Sequence, residues 1–186
     1  MEITIKELTD IDLRGKVIIF PTDTVYGIGC LYDDLVAIDR IYNLKSRDYS
    51  KPMAILGADV SSLMPLAEVN EEFMELAKKH WPGALTLVVI KTELVSNLAS
   101  ASKDTVGVRV PNHEIALALL RRFGPMVVTS LNQSGETPIV KFEEAKLYAK
   151  KVDYLINGGD LNGVASTVYD IVNKTVLRQG SLIINQ

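Results

Sequence analysis

Lys16–Phe20 reads KVIIF, and Pro21–Gly29 continues it as PTDTVYGIG. The first part runs β-branched and aromatic residues together, the pattern of a strand buried on both faces. Pro21 has no N–H to give a strand ladder, so the run is expected to stop there. Two threonine hydroxyls, a carboxylate and a phenol follow within five residues, and Gly27 and Gly29 close the stretch. The reading is a short buried strand with a polar loop at its end, the usual place for a ligand in an α/β sheet. Such a loop can offer hydroxyls and backbone N–H groups to a polar ligand. A turn of small polar residues fits the same spacing equally well.

Outward from this stretch, strands and helices keep alternating. Asp33 or Asp34 is placed to cap a helix with Leu35, Ile38, Ile41 and Tyr42 on one face. Met53–Leu56 reads as a strand. Asn70 can cap a helix through Phe73, Met74 and Ala77 that ends before Pro82-Gly83. Leu85–Ile90, LTLVVI, is the strongest strand pattern, and Val106–Val110 follows as another. Pro111-Asn112 is expected to open a helix with Ile115, Leu119 and Phe123 in register, closed by Gly124-Pro125. Met126–Thr129 is a strand, and Phe142, Ala145 and Ala149 mark a late amphipathic helix. Val152–Ile156, Thr167–Val172 and Thr175–Leu177 finish as strands. The alternation is not strict, which predicts an α/β fold with a mixed sheet flanked by helices.

The chain has 186 residues, the length of one domain with a real core, and residues 1–186 read as a single unit. No apolar run approaches the roughly 18 residues of a spanning helix. The charged N-terminus lacks the apolar centre of a secretory signal, so a cytoplasmic protein with no membrane contact is expected. One cysteine, Cys30, rules out an internal disulfide and reads as a small packed residue. Net charge is -3, against the basic excess of a dedicated nucleic-acid binder.

Further polar clusters carry candidate chemistry. Lys45-Ser46-Arg47-Asp48-Tyr49-Ser50-Lys51 holds three cations within seven residues. They suit a triphosphate, with Arg forking onto oxygens and Lys acting as a point charge. They suit a solvated helix end as well. Thr129-Ser130-Leu131-Asn132-Gln133-Ser134-Gly135 gathers hydroxyls and amides after a buried strand. Arg109 lies inside an apolar strand, where it faces either water or an anion, because an unpaired buried charge is costly. Ser166, Thr167 and Arg178 occupy similar strand-edge settings.

Several sites are set aside. Tyr32 stands where the third glycine of a dinucleotide fingerprint belongs, and no P-loop is present. There is no G-x-S-x-G elbow. His80 and His113 lack metal-ligand spacing with Cys30; His80 reads as structural and His113 as a first-turn helix residue.

Together the segments resemble the YrdC/Sua5 family of threonylcarbamoyl-AMP synthases, the TsaC type. The resemblance rests on PTDTVYGIG, K-S-R at Lys45–Arg47, WPGALT at Trp81–Thr86 and VRVP at Val108–Pro111. It continues through TSLNQSG at Thr129–Gly135, STVYD at Ser166–Asp170 and LRQG at Leu177–Gly180. Each block alone is weak; seven in family order are specific. The resemblance implies a YrdC-like twisted mixed sheet with a concave, positively charged surface. It implies ATP contacts from Lys45, Arg47, Lys51, Ser130, Asn132 and Arg178. Threonine contacts are implied for Thr24, Arg109 and Ser166, with Arg109 facing the carboxylate and Thr22 and Tyr26 shaping the pocket mouth. No protein nucleophile and no side-chain metal ligand are implied, Mg²⁺ being carried by ATP and bicarbonate serving as co-substrate.

The implied product is L-threonylcarbamoyl-AMP, the first step of N6-threonylcarbamoyladenosine (t6A) formation in tRNAs, with hand-over to a t6A transfer complex. Longer Sua5-type members add a C-terminal domain, so the short form is expected. Leu56 stands where some archaeal members place a histidine, and Leu131 replaces an alanine. An RNA-binding module contacting tRNA or double-stranded RNA is the rival reading; a carbamoyl-adenylate step in hydrogenase maturation ranks last.

Overall fold

The buried KVIIF run becomes an interior strand because its side chains find cover on both faces. The computed structural model describes residues 1–4, 6–7, 11–133 and 135–184. Ser134 of the TSLNQSG segment therefore lies outside the described residues. The strands are β1 Glu2–Ile3, β2 Ile18–Pro21, β3 Tyr26–Leu31, β4 Ala54–Leu56, β5 Leu85–Ile90, β6 Thr105–Arg109, β7 Met126–Ser130, β8 Tyr154–Ile156, β9 Thr167–Asp170 and β10 Thr175–Arg178. The helices are α1 Leu35–Leu44, α2 Val60–Leu63, α3 Glu71–His80, α4 Asn97–Ser100, α5 Glu114–Phe123 and α6 Phe142–Lys146.

Among the described residues the strands form one sheet in the order β1-β8-β2-β3-β7-β4-β6-β5-β9-β10. Pairings of both directions occur along it: β2 with β8, β4 with β6 and β5 with β9 are parallel, while β2–β3, β3–β7 and β5–β6 are antiparallel. The mixed sheet expected from the sequence is thus present. Its larger core cluster packs α1 and α3 residues such as Ile38, Ile41 and Phe73 against Ile19, Ile55, Val127 and Leu87. A smaller cluster on the other face sets Ala116, Leu119 and Leu120 of α5 against Ile18, Phe20, Leu56, Met126 and Val128.

Capping follows local chemistry. Asp34, not Asp33, caps α1 by accepting from the Ala37 N–H at 3.0 Å, and Asn70 caps α3 from Phe73 N–H at 2.9 Å. Leu35, placed on the apolar face by periodicity, is exposed, as is Met74 of α3. Leu35 is the first residue of its helix, and Met74 lies one position round from the buried Phe73. Helix α5 begins at Glu114, so His113 is the extended N-cap residue and not part of the first turn. The late helix is broken: α6 ends at Lys146 and a separate 3₁₀ turn holds Ala149–Lys151.

The largest departure lies in the opening stretch. Tyr26–Leu31 is strand β3, pairing with β2 on one side and β7 on the other, so the ligand loop shrinks to the hairpin turn Thr22–Val25. With a strand on both sides, the N–H groups of Gly27 and Gly29 belong to the ladder and not to a ligand. The glycines serve close approach. A Cβ on Gly29 would lie 2.7 Å from the Val127 carbonyl oxygen and 2.9 Å from Val128 Cγ2.

Candidate active site

Beyond α5 the second face of the sheet continues across β4, β6, β5 and β9, where it forms the wall of a cavity of about 310 Å³. That is the low end of the range typical of small-molecule sites. Small side chains keep this wall concave: Gly27, Ala54 and Gly107 stand where larger residues would fill the space. Three guanidinium groups, Arg47, Arg109 and Arg178, and the hydroxyls of Thr22, Thr24, Thr86, Thr129, Ser130 and Ser166 line it.

The hairpin turn builds one side. Thr22 Oγ1 donates to the Val25 carbonyl at 2.7 Å and lies 2.9 Å from Thr24 Oγ1. With its own hydrogen committed, Thr22 accepts from Thr24. Arg109 Nη1 in turn donates to Thr24 Oγ1 at 3.1 Å. Arg109 is pinned at three points: Nη2 meets Asp23 Oδ1 at 2.5 Å and Nε meets the Gly83 carbonyl at 2.9 Å. The alternative of a water-facing Arg109 is removed, since the residue is only 6% exposed. Three of its five donors are used, and two remain for an anion in the cavity. The Trp81–Gly83 turn, with a cis Trp81–Pro82 bond, supplies that carbonyl and is held by Trp81 Nε1 on the Leu85 carbonyl.

The opposite side comes from the end of the sheet. Register shifts between Val176 and Arg178 on β10, so Leu177 is an extra residue opposite β9. Such a bulge turns the next side chain back to the other face. Arg178 thereby reaches Ser166, with Nε on its carbonyl at 3.0 Å and Nη2 on its Oγ at 3.1 Å. Ser166 Oγ also lies 2.8 Å from Thr86 Oγ1. Gly180 lets the chain pass close behind: a Cβ there would sit 2.2 Å from the Ala165 carbonyl oxygen.

The Lys45–Pro52 loop closes the site. Arg47 donates from Nε to the Lys51 carbonyl and from Nη2 to the Pro52 carbonyl, which holds it at the wall. Lys51 itself is exposed, its carbonyl also accepting from Tyr42 Oη. Lys45 lies behind the wall. Its ammonium donates to the carbonyls of Ser130 and Asn132 and to Asn132 Oδ1, which uses all three hydrogens. Burial, and next the charge of Arg47, pull its pKa down to about 7. Ser130 Oγ donates to Asn132 Oδ1 at 2.7 Å, so the S-x-N element and the K-x-R element form one network.

Of the sequence-predicted residues, Thr22, Thr24, Arg47, Arg109, Ser130, Ser166 and Arg178 share the cavity wall. Lys45 and Asn132 stand immediately behind it. The Tyr26 ring packs near Phe142, and its hydroxyl donates to the Gly159 carbonyl, away from the wall. Leu56 lines the cavity as well. Sequence reasoning did not single out Asp23 as the partner of Arg109, or Thr86 as the neighbour of Ser166. Both stand inside quoted motifs, yet nothing in their spacing ties them to those partners. Cys30 is fully buried, and burial pushes its thiol pKa up, as a packed residue requires.

Residues 11–180 match the Sua5/YciO/YrdC family model, described as telomere recombination. The chain belongs to the Sua5/YciO/YrdC family. A curated relative, the threonylcarbamoyl-AMP synthase of Pyrococcus abyssi, is 41% identical over 91% of this chain and 52% of its own. A structure of P. abyssi Sua5 complexed with L-threonine superposes with a TM-score of 0.92 at 36% identity, covering 98% of this chain and 58% of that one. Escherichia coli YciO superposes with a TM-score of 0.84 at 29% identity, over 97% of this chain and 95% of its own. The chain thus spans about half the length of the Sua5 relatives, while matching YciO nearly end to end.

Proposed function

We propose that this member of the family makes L-threonylcarbamoyl-AMP from L-threonine, bicarbonate or CO2, and ATP, releasing diphosphate. The supporting observation is the convergence of Arg47, Arg109 and Arg178 with the hydroxyls of Thr24, Ser130 and Ser166 on one cavity, from segments spread along the whole chain. The relative named threonylcarbamoyl-AMP synthase and the Sua5 complex with L-threonine support the same substrates.

In this reading the threonine amine adds to CO2 and loses a proton, giving an N-carboxylate. A carboxylate oxygen attacks the α-phosphorus of ATP as the bond to diphosphate breaks, leaving a mixed anhydride with AMP. No protein nucleophile takes part. The reactants are anions that repel one another, and fixed cations offset that repulsion most where charge develops. Arg109 holds the threonine carboxylate with its two remaining donors, beside Thr24 and Ser166. Arg47 and Arg178 take the phosphates, with Lys51 at the rim and Ser130 turning its hydroxyl from Asn132 Oδ1 to a phosphate oxygen as ATP binds. Lys45 and Asn132 hold the Ser130 turn from behind. Orientation of this kind supplies about 7–11 kcal/mol of a barrier in favourable cases.

The cavity wall carries no carboxylate, and no group of three or more His, Cys, Asp or Glu among the described residues is arranged to hold a metal ion. In this reading Mg²⁺ arrives with ATP. The anhydride is labile in water, and we place its consumption in t6A formation on tRNA, through a cytoplasmic transfer complex. Among the described residues no helix is long and apolar enough to cross a membrane.

The test is an omission series of diphosphate release with threonine, bicarbonate and Mg²⁺-ATP. Release is expected only when all three are present. Release that ignores threonine refutes the proposal.

A further inference from the structure

Thr86 stands on the cavity wall with no role in the reading above. It lies on β5, 6% exposed, with its hydroxyl 2.8 Å from that of Ser166, itself 4% exposed. Arg178 Nη2 approaches the same Ser166 oxygen at 3.1 Å and can only donate. A hydroxyl has two lone pairs and one hydrogen, so the direction of the Thr86–Ser166 bond decides what Ser166 shows the cavity. If Thr86 donates, both Ser166 lone pairs are taken, and its hydrogen is left for a ligand acceptor. If Ser166 donates, it has no hydrogen left for one.

A second observation explains why a threonine occupies this position. The Thr86 methyl Cγ2 lies 3.1 Å from where a Cβ on Gly107 would stand. The absence of a side chain on Gly107 lets the methyl lie close against that strand, and a β-branched side chain has few χ1 choices. Seating the methyl there turns the hydroxyl toward Ser166.

We propose that Thr86 is a positioning residue that donates to Ser166 and so makes the Ser166 hydroxyl a dedicated donor to an acceptor oxygen of the amino-acid substrate. The inference rests on the threonine-binding reading of Ser166. It predicts a larger effect on the amino acid than on ATP: Arg47 and Ser130 lie apart from Ser166, and Arg178 keeps its bond to the Ser166 carbonyl whichever way the hydroxyl turns.

The experiment compares wild type, Thr86→Val, Thr86→Ser, Ser166→Ala and the Thr86→Val/Ser166→Ala double variant. Threonine binding is read by calorimetry, and KM for threonine and for ATP by diphosphate release. Thr86→Val keeps the shape and loses the hydroxyl. It is expected to weaken threonine about tenfold in both readouts, with the ATP KM moving by much less. Thr86→Ser, which keeps the hydroxyl, stays within about threefold of wild type. The double variant is no weaker than Ser166→Ala alone, because Thr86 acts through that oxygen. Should Thr86→Val not fold, Thr86→Ala serves the same arm. A threonine KM for Thr86→Val equal to wild type, or effects of the two positions that add, overturns the inference and leaves the proposed function standing. A wild-type protein that binds no threonine overturns both.

Discussion

Lys45 Nζ donates to the Asn132 carbonyl at 2.8 Å and to Asn132 Oδ1 at 3.0 Å, joining positions 87 apart in the chain. With its third bond to the Ser130 carbonyl, this side chain ties the end of α1 to the end of β7. Lys45→Met takes this donor from all three buried oxygens, leaving Asn132 Oδ1 only the Ser130 hydroxyl, and a loss of at least about 2 kcal/mol is expected from urea unfolding. A variant as stable as wild type contradicts this.

The same residue sets a pH dependence. Its pKa falls from the ordinary 10.5 to about 7 on folding. Between those values the unfolded chain holds a proton that the folded protein has released, so stability rises with pH across that window. Below about pH 7 both states carry the proton and the deficit is constant. The stability difference between wild type and Lys45→Met is therefore expected to grow in favour of wild type from pH 7 towards pH 10. A flat difference rules out the assignment to Lys45.

Asp23 and Arg109 form a buried ion pair, their side chains 14% and 7% exposed. Removing one partner of such a pair costs about 3–5 kcal/mol, because the other is left uncompensated. Asp23→Ala is expected to lose that much in thermal or chemical unfolding and to raise the threonine KM. Asp23→Asn, which keeps an acceptor for Nη2, should lose less of both. Equal losses would show that the charge of Asp23 carries the whole effect.

How much of this was legible beforehand depends on whether the signal was local. LTLVVI specified β5 to the residue, and Asn70 marked the start of α3, because an apolar run and a capping side chain act on their own neighbours. Tyr26–Leu31 was not legible as a strand. Its two glycines mimic a loop, and the segment is held extended by pairing with β2 and β7, the latter close against the glycines. The site divides in the same way. Arg109 stood out as a charge in an apolar strand, and the family motifs gathered most of its companions. Asp23, 86 positions away from Arg109, and Thr86, 80 positions away from Ser166, become partners only when the sheet brings their segments together. The β10 bulge that redirects Arg178 leaves no mark in the spacing of LRQG.

Gly163 packs against the hairpin turn from outside the cavity. A Cβ there would fall 1.8 Å from the Thr24 carbonyl oxygen and 2.3 Å from its Cα, so backbone would have to move. Gly163→Ala is expected to cost about 1–3 kcal/mol as an overpacking change. Because the displaced residue lines the cavity, the threonine KM should rise in the same variant. Lowered stability with an unchanged threonine KM would separate Thr24 from the substrate.

The most direct measurement is a crystal structure of this chain with L-threonine and a non-hydrolysable ATP analogue. The account predicts both in the one cavity, the threonine carboxylate on Arg109 with Ser166 beside it, and phosphate oxygens at Arg47 and Ser130. Threonine and nucleotide bound at separate places, or either of them away from this wall, would contradict it.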